Sequence, residues 1–457
     1  MPAPSASLSS AALNVWLAVL LRPFARVKPS EVVGAAVMTL AVFLLLTGYY
    51  LLKTAREPLI LLHGGAEVKQ YAAAGQATLL VGVVRGYAWL AKRVGRTKLI
   101  AIVYLFFVSN LVVFAVLART HWTIGVPFYL WVGAFNMTAV SQFWSLAADI
   151  YDEEQGRRLF AIIGVGGSMG AVLGARLAKS LAHRGPATLM DAAAVLLLAC
   201  TALLIWIARC PQCPRRTTGE PGRDAPLAHD NLLRWLMRDR YLLLIAALAL
   251  VLNWVRSNGD YVLDRTLLAA VTEAKAKGLS ADVFVTTFKA NYFQWVNITT
   301  LVLQLFVVSR VMSRLGVTAA LLCLPVFAFA EYAVYLALPV LSVFLVAKVG
   351  ESSLEYSMQN TSRQALFLEA SRMEKYVGKT VVDTFVVRAG DALTAVVVLA
   401  GSRVGLSPQA FASLNLLLIV LWVFAVLAIG RESLRRAGMI GSAGSAEPAL
   451  PDGAHAA

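Results

Sequence analysis

The sequence predicts an all-α membrane protein with twelve transmembrane helices in two halves of six. Its composition supports this fold class, because hydrophobic residues make up 59% of the 457-residue chain and charged residues only 15%. About 25% of an average soluble domain is charged. Apolar runs of about 20 residues, enough to cross the hydrocarbon core of a bilayer, also recur along the chain. One long polar stretch separates the first six runs from the last six.

The predicted spans differ in how much polarity they contain. In chain order they lie at 33–54, 73–91, 99–118, 123–149, 158–182, 187–208, 241–263, 284–308, 317–338, 339–362, 377–401 and 409–430. The third, sixth, ninth and twelfth spans are the most apolar, whereas the others contain Gly, Ser, Asn or charged residues. Apolar helices can face lipid but polar helices must face protein or water. We therefore expect the four apolar spans at the periphery of the bundle.

The segments outside the spans complete the domain organisation. Residues 11–21 predict a short helix in the membrane interface, and Pro58 marks a point where the first helix is expected to bend. The Ala-, Gly- and Pro-rich end of the chain predicts disorder. The chain is thus divided into a cytoplasmic N-terminal segment with the interfacial helix (1–30), an N-terminal six-helix bundle (31–208), a cytoplasmic linker (209–240), a C-terminal six-helix bundle (241–430) and a disordered cytoplasmic tail (431–457).

The net charge of +15 is explained by membrane topology. In membrane proteins the excess of Lys and Arg lies in cytoplasmic loops. Here the basic residues concentrate at alternate connections, at Lys92, Arg93, Arg96, Lys98, Arg157, Arg158, Arg310 and Arg314 and in the central linker. We therefore expect a multi-pass protein of the cell inner membrane with both termini in the cytoplasm, and no nucleic-acid partner.

The sequence contains no pattern typical of a metal, cofactor or catalytic site. Cys210 and Cys213 form a CxxC pair without a second pair at zinc spacing, and Cys200 and Cys323 lie in apolar spans. The five histidines are scattered, and no nucleophile is paired with a base. We therefore expect neither a cofactor nor a metal, and no enzymatic activity.

The two halves contain echoes of each other. A basic turn with Gly follows the second span as KRVG and the eighth span as SRLG. The stretch LLKTAREP in the first span also matches WVRSNGDY in the seventh. Parallel repeats of six spans with a substrate site at their interface are a transporter design. At a constant offset of 203 residues, the matched pairs are Lys53 with Arg256, Thr54 with Ser257 and Glu57 with Asp260.

Charged residues inside the spans form the candidate substrate site. An ionisable group within a span is costly unless it is paired or in contact with water. Such groups concentrate in the first, fourth, seventh and tenth spans and their neighbours. The candidate substrate-binding residues are Lys53, Arg56 and Glu57 of the first span, Asp149 of the fourth, Arg256 and Asp260 of the seventh, Asn360 and Arg363 of the tenth and Arg388 of the eleventh.

Some of these residues also have a purely structural interpretation. Lys53 lies near a helix end, so it either faces a cavity or extends to the lipid headgroups. Arg388 lies three residues before Asp391 and can pair with it on one helix face. Asp264 and Arg265 are expected at the outer rim of the bundle.

The glycine-rich stretch GVGGSMGAVLGA at 164–175 predicts close helix packing. A phosphate-binding loop would need a following Lys-Ser or Lys-Thr and a preceding strand, and neither is present. Small residues at every fourth position let two helix backbones approach each other. We expect this contact to let helices slide as a cavity opens to one side and then the other.

Three charged stretches carry a family resemblance that extends over about residues 31–430. The first span ends in LKTARE, where the family has Leu-Arg-x-x-Lys-Asp. The fourth ends in FWSLAAD, where the family has Phe-Trp-x-x-Ala-Asn-Glu, and the tenth contains EYSMQNTSRQ, where it has Lys-Tyr-Ser-Leu-x-x-x-Thr-Lys-Glu. In these stretches the chain resembles the ATP/ADP antiporter (nucleotide transporter) family of obligate intracellular bacteria and plastids, which is related to the major facilitator superfamily.

The resemblance implies a major-facilitator-type fold and the exchange of nucleotides. The family's functional charges fall on Arg56, Asp149, Asp260 and Arg363, each with its sign preserved and its residue type changed. Arg56 and Arg363 are then expected to hold a phosphate from opposite halves. In the empty site we expect Asp149 and Asp260 to hold these arginines, because an unpaired buried charge is costly, and Glu57 to be a further resting partner of Arg56. Bidentate Arg contacts suit phosphate oxygens, which supports an anionic substrate independently of the family.

The leading hypothesis is therefore a secondary transporter that exchanges nucleotides or another organic phosphate anion by alternating access. We expect it to work as a monomer in the lipid bilayer. The alternative is a proton-coupled symporter or exporter of a different small metabolite on the same fold, which the paired carboxylates favour. A third hypothesis, a scaffold or sensor that transports nothing, predicts that the charged cavity has been lost.

Overall fold

The structure is a computed structural model that describes residues 31–120, 122–209, 239–367, 382 and 386–444. Several sequence predictions lie outside this part of the chain. They are the interfacial helix at 11–21, the CxxC pair, almost all of the linker, the beginning of the eleventh span, and the tail at 445–457.

The first half of the described chain consists of antiparallel helices. They are α1 (Val32–Ala91), α2 (Arg96–Arg119), α3 (Gly125–Ile150), α4 (Glu153–Leu181) and α5 (Pro186–Arg209). Gly65, with a φ of 78°, reverses the chain within α1, a backbone conformation that favours glycine. The helix runs through Pro58 without leaving helical geometry. The bend expected at Pro58 stays a prediction, and the first helix continues ten residues beyond its predicted end at 54.

The second half follows the same plan with more irregular helices. They are α6 (Arg240–Ala276), α7 (Ala281–Leu303), α8 (Ser309–Ala337), α9 (Leu341–Leu354), α10 (Asn360–Leu366), α11 (Val387–Arg403) and α12 (Pro408–Gly444). Single π-helical turns, Gln304–Val308 and Glu355–Gln359, join α7 to α8 and α9 to α10. Gly316, with a φ of 80°, reverses the chain within α8, at the place in this half where the basic echo predicted a turn.

The last helix extends into the region predicted as a disordered tail. Helix α12 continues to Gly444 instead of ending at 430. Arg436 on this extension donates hydrogen bonds of 2.6 and 2.8 Å to the carboxylate of Asp239, which caps the start of α6. This contact gives the extension a partner that composition alone does not reveal.

The prediction of an all-α membrane protein is confirmed. The described residues contain no strand, and seven of their helices are long and apolar enough to cross a membrane. Two of these seven, at Val32–Ala91 and Ala281–Ala337, each contain a chain reversal. The count of twelve spans stays a prediction.

The two halves meet at the end of the bundle that contains Gly65, which we call the far face. The opposite end, where α1 begins and α5 ends, is the terminal face. Each half has its own apolar core, but Ile60, Leu61 and Ala66 near the far-face end of α1 pack into the core of the second half. Nearer the middle of the bundle, Tyr50 donates a 2.9 Å hydrogen bond across the interface to Asn297.

Helix α4 packs directly on the backbone of α1 through its glycines. A Cβ atom on Gly170 would lie 2.3 Å from the carbonyl oxygen of Phe43, and one on Gly174 would lie 2.5 Å from that of Thr47. One turn earlier, a Cβ on Gly166 would lie 2.5 Å from the Thr39 methyl group. The close packing predicted from the spacing of small residues is therefore confirmed.

This contact predicts opposite effects of alanine at two glycines of the same helix. Gly170→Ala should lower the free energy of unfolding by about 1–3 kcal/mol, because the added methyl group overpacks the contact. Gly164 has no heavy atom near its Cβ position, so Gly164→Ala should raise stability by up to about 1 kcal/mol through helix propensity. Unfolding of both purified variants in detergent measures the difference. Equal effects would show that α1 and α4 are not in backbone contact.

Candidate functional site

A cavity of about 240 Å³ lies between the two halves. Its walls come from α1 and α3 of the first half and from α6, α7 and α11 of the second. The basic residues that line it are Lys53, Arg56, Lys69, Arg256, Lys289 and Arg388. The acidic residues that line it are Glu57, Asp260 and Asp391. Six cationic groups against three carboxylates give the lining an excess of positive charge.

Helix α1 presents one polar face to the cavity. Tyr49, Lys53, Arg56 and Glu57 are spaced at helical intervals on that face. The guanidinium of Arg56 lies 4.4 Å from the ring centre of Tyr129, and its Nε donates a 3.2 Å hydrogen bond to Glu57. Glu57 thus has the contact expected of a resting partner for Arg56.

Lys53 faces the cavity, which decides between its two sequence interpretations. Its ammonium lies 4.3 Å from the ring centre of Phe293 and 5.2 Å from that of Tyr50. Such contacts between a cation and an aromatic ring are worth about 0.5–2 kcal/mol. Within the described residues, Lys53 has no carboxylate at ion-pair distance. It therefore contributes directly to the positive excess.

The wall formed by the second half is better balanced in charge. Arg256 donates to Asn253 at 2.7 Å and lies 3.5–3.7 Å from three carboxylates, those of Glu355, Asp260 and Asp391. The predicted pair of Arg388 with its helix neighbour Asp391 is present at 3.1 Å. The residues matched by the repeat, Lys53 with Arg256 and Glu57 with Asp260, all line the cavity.

Four buried charges join the halves at the far-face end of the cavity. Glu57 and Lys69 come from the first half, and Asp264 and Lys289 from the second. Lys69 Nζ lies 2.6 Å from Glu57 and 2.8 Å from Asp264. Lys289 binds the other oxygen of Asp264 and lies 3.5 Å from Glu57. We call this group the interhalf cluster.

The interhalf cluster corrects the placement of Asp264. This residue was expected at the outer rim, but it is 0% exposed, because two ammonium groups neutralise its carboxylate. Its neighbour Arg265 is partly exposed and donates to Glu67, which also accepts a 3.0 Å hydrogen bond from Tyr261. These contacts add a second link between the halves on the far-face side of the cluster.

Three predicted site residues lie away from the cavity. Asp149 occupies the last turn of α3, where its side chain is 56% exposed and lies 3.3 Å from Arg96. Asn360 and Arg363 lie on α10 beyond Tyr356, the residue of that region that lines the cavity. The clamp predicted between Arg56 and Arg363 is therefore not assembled in this structure. The cavity instead places Arg56 among the basic residues of α1, α6, α7 and α11.

Sequence reasoning missed several lining residues. Lys69 was excluded because the second span was predicted to begin at 73, yet Lys69, Ala73 and Gln76 form one cavity-facing stripe. Their spacing of four and three residues is the signal that could have identified them. On α3, Gly133 leaves space for Gln76, whose amide nitrogen would lie 2.0 Å from a Cβ at that position. The other lining residues that were not predicted as site residues are Tyr49, Gln70, Tyr129, Asn136, Met137, Ser257, Lys289, Tyr292, Phe293, Tyr356 and Asp391.

Comparison with known proteins identifies the fold. No protein-family model and no curated sequence matches the chain. Among solved structures, a point mutant of the nucleoside transporter NupG is similar with a TM-score of 0.64 and 12% identity, over 86% of this chain and 99% of that one. An auto-inhibited POT-family peptide transporter gives 0.61 and 13%, over 88% and 96%. A bacterial homologue of the human lysosomal transporter Spinster, inward-facing and unoccupied, gives 0.55 and 14%, over 88% and 95%.

These similarities show that the chain has a fold of the major facilitator type. All three similar structures are described as transporters. At 12–14% sequence identity the similarity establishes the fold and carries no information on the substrate.

The interhalf cluster predicts a large cost for removing one of its carboxylates. Asp264→Asn leaves two buried lysines with Glu57 alone, so the free energy of unfolding should fall by about 3–5 kcal/mol. Asp191→Asn is the matched control, because Asp191 pairs with Arg119 on the exposed surface and such pairs contribute about 1 kcal/mol or less. Thermal unfolding of both variants in detergent tests this. Equal small losses would contradict a stabilising role for the cluster.

Proposed function

We propose that this protein is a secondary transporter that moves an organic anion by alternating access, with nucleotides or other organic phosphates in exchange as the leading substrates. The observation that carries the proposal is the charge around the cavity. Six basic side chains line it, against the three carboxylates of the lining and those of Asp264 and Glu355 just behind it. Uncompensated charge away from bulk water is costly. A bound anion supplies the missing negative charge.

The chemistry of the basic residues fits phosphate. Within the described residues, Arg56 engages Glu57 through Nε, so its terminal NH groups remain available for a bidentate contact with phosphate oxygens. The ammonium of Lys53 contacts two aromatic rings, and an anion can take the place of these rings as its partner. These two residues are therefore the primary anion contacts in the proposal.

The aromatic lining supports a nucleotide among the organic phosphates. Tyr49, Tyr129, Tyr292, Phe293 and Tyr356 line the cavity, and aromatic side chains can stack on a nucleobase. The cavity of about 240 Å³ is smaller than the roughly 300–1,000 Å³ of typical ligand pockets. A whole nucleotide therefore requires the halves to separate further, whereas a smaller phosphate ester fits with less movement.

The interhalf cluster supplies a link between substrate binding and opening. Lys69 and Lys289 line the cavity and also contact Asp264 and Glu57, respectively, across the interface. An anion that binds beside these lysines competes with the two carboxylates and weakens the far-face closure. A ligand shifts a conformational equilibrium through such a difference in contacts.

The orientation in the membrane is inferred from the basic connections between helices. The short basic connections after α1 and around Gly316 lie at the terminal face, which the positive-inside rule places in the cytoplasm. We therefore propose an inner-membrane protein with both termini in the cytoplasm. Its cavity is formed within one chain, which supports function as a monomer.

A second candidate is proton-coupled transport of a different metabolite. It is favoured by a buried group of carboxylates around Lys348, next to Asp260 in the cavity wall. Exchange depends on a counter-substrate, whereas proton coupling depends on an imposed pH gradient. The two candidates can therefore be separated in vesicles of defined internal composition.

Uptake into proteoliposomes tests the proposal. With labelled ATP outside and ADP or a phosphorylated metabolite inside, the wild-type chain should accumulate label. Lys53→Ala and Arg56→Ala should each reduce uptake about tenfold or more, equivalent to about 1.4 kcal/mol of lost substrate interaction. Arg119→Ala, which removes an exposed basic residue far from the cavity, should retain wild-type uptake. Absence of uptake with every nucleotide and organic phosphate would exclude this substrate class.

A further inference from the structure

The cavity has uncharged polar groups in its lining that the proposed anion contacts do not use. The side-chain amides of Gln70, Gln76 and Asn136 line it, and within the described residues none of the three has a hydrogen-bond partner. Gln70 and Gln76 are only 4% and 9% exposed. Buried polar groups in proteins are nearly always hydrogen-bonded. Unpaired amides beside one cavity therefore form a set of donors and acceptors that a ligand can use.

Gly133 of α3 provides the place for the amide of Gln76. A Cβ atom at position 133 would lie 2.0 Å from the amide nitrogen, 2.3 Å from the amide carbon and 2.6 Å from the amide oxygen. The whole amide group therefore occupies space that any larger residue at position 133 would fill. This packing keeps the amide close to α3, with one acceptor and one donor group side by side.

The uncharged region begins one helical turn from the proposed phosphate contact. The guanidinium of Arg56 lies 4.4 Å from the ring centre of Tyr129, and Gly133 and Asn136 follow Tyr129 on the same face of α3. At 1.5 Å per residue they lie about 6 and 10 Å further along the helix axis. The lining residues of α3, which also include Met137, carry no charge. A substrate that reaches both regions carries an anionic group at one end and an uncharged polar group at the other.

The chemistry of the amides favours a planar ring edge over a simple anion or a sugar. A carboxamide places an acceptor beside a donor in one plane, and Asn and Gln pair with adenine through two such hydrogen bonds. Phosphate oxygens offer mainly acceptors and would leave the amide oxygens unpaired. A sugar hydroxyl makes these contacts singly and cannot stack on an aromatic ring, which Tyr356 in the same lining offers.

We propose that Gln76 and Asn136 form a subsite that hydrogen-bonds the edge of a nucleobase-like planar group, while Lys53 and Arg56 hold the phosphate of the same substrate. This proposal rests on the proposed function and deepens it, because it names the part of the substrate that selects among organic phosphates. Gln70 adjoins Lys69 at the phosphate end and is not part of the subsite. A phosphate ester without a matching ring edge leaves the two amides to water.

Ligand binding to the purified full chain in detergent tests the subsite. The probes are the common nucleoside monophosphates (AMP, GMP, CMP and UMP) and ribose 5-phosphate, which has the same phosphate and sugar without a base. The wild type should bind at least one nucleoside monophosphate about tenfold more tightly than ribose 5-phosphate, the gain that one or two hydrogen bonds provide. Gln76→Met keeps the length of the side chain without its hydrogen bonds, so it should lose most of this preference and bind ribose 5-phosphate as the wild type does.

Two further variants separate recognition from folding. Asn136→Leu should reduce the same preference, and it provides the readout if Gln76→Met does not fold. Asn110→Leu is the matched control, because the amide of Asn110 donates to the carbonyl oxygen of Phe106 on α2 and does not line the cavity. This control should bind every probe as the wild type does.

The outcomes distinguish the subsite from the proposed anion transport. Equal wild-type affinities for ribose 5-phosphate and every nucleoside monophosphate would overturn the subsite and leave anion transport standing. An equal loss of both kinds of probe in Gln76→Met and Asn136→Leu would do the same. Uncharged nucleosides test the opposite case. If the wild type binds a nucleoside through Gln76 but binds no phosphate ester, the proposed substrate class fails while the subsite stands. Absence of binding for every probe would overturn both.

Discussion

Every ionised group inside this bundle must find a countercharge, and the structure is arranged around that constraint. Removing a charge from water costs several kcal/mol unless a partner compensates it. The interhalf cluster meets the requirement with one carboxylate and one ammonium from each half, so that Glu57 pairs with Lys69 and Asp264 with Lys289 inside their own halves. The crossed contacts of Lys69 with Asp264 and of Lys289 with Glu57 join the halves, and opening of the far face would leave each carboxylate with the ammonium of its own half.

The same constraint divides the cavity into two electrostatically different walls. Arg256 is surrounded by three carboxylates on the second-half side, whereas Lys53 and Arg56 on α1 rely on aromatic rings and on Glu57. Under the proposed function, an anion bound beside α1 would supply the countercharge that this wall lacks.

The sequence was most informative where helical periodicity and internal repetition applied. The pairing of Lys53 with Arg256 and of Glu57 with Asp260 relied on a repeat, and both pairs line one cavity. Asp149 could not be placed in this way, because it lies at the exposed end of α3 beside Arg96, a partner at the start of the preceding helix. Lys69 was missed because it precedes the predicted start of the second span at 73, and its burial requires Asp264 from the other half. Contacts between distant segments therefore limited the prediction of the site more than that of the fold.

The aromatic setting of Lys53 has a consequence for how quickly a substrate can leave. If Lys53 paired with a carboxylate in the empty site, that carboxylate would repel an incoming anion. Rings at 4.3 and 5.2 Å stabilise the empty ammonium only modestly and carry no net charge. Under the proposed function, release of the anion therefore need not wait for Lys53 to find a carboxylate, and the empty site can accept the next anion without first breaking an ion pair.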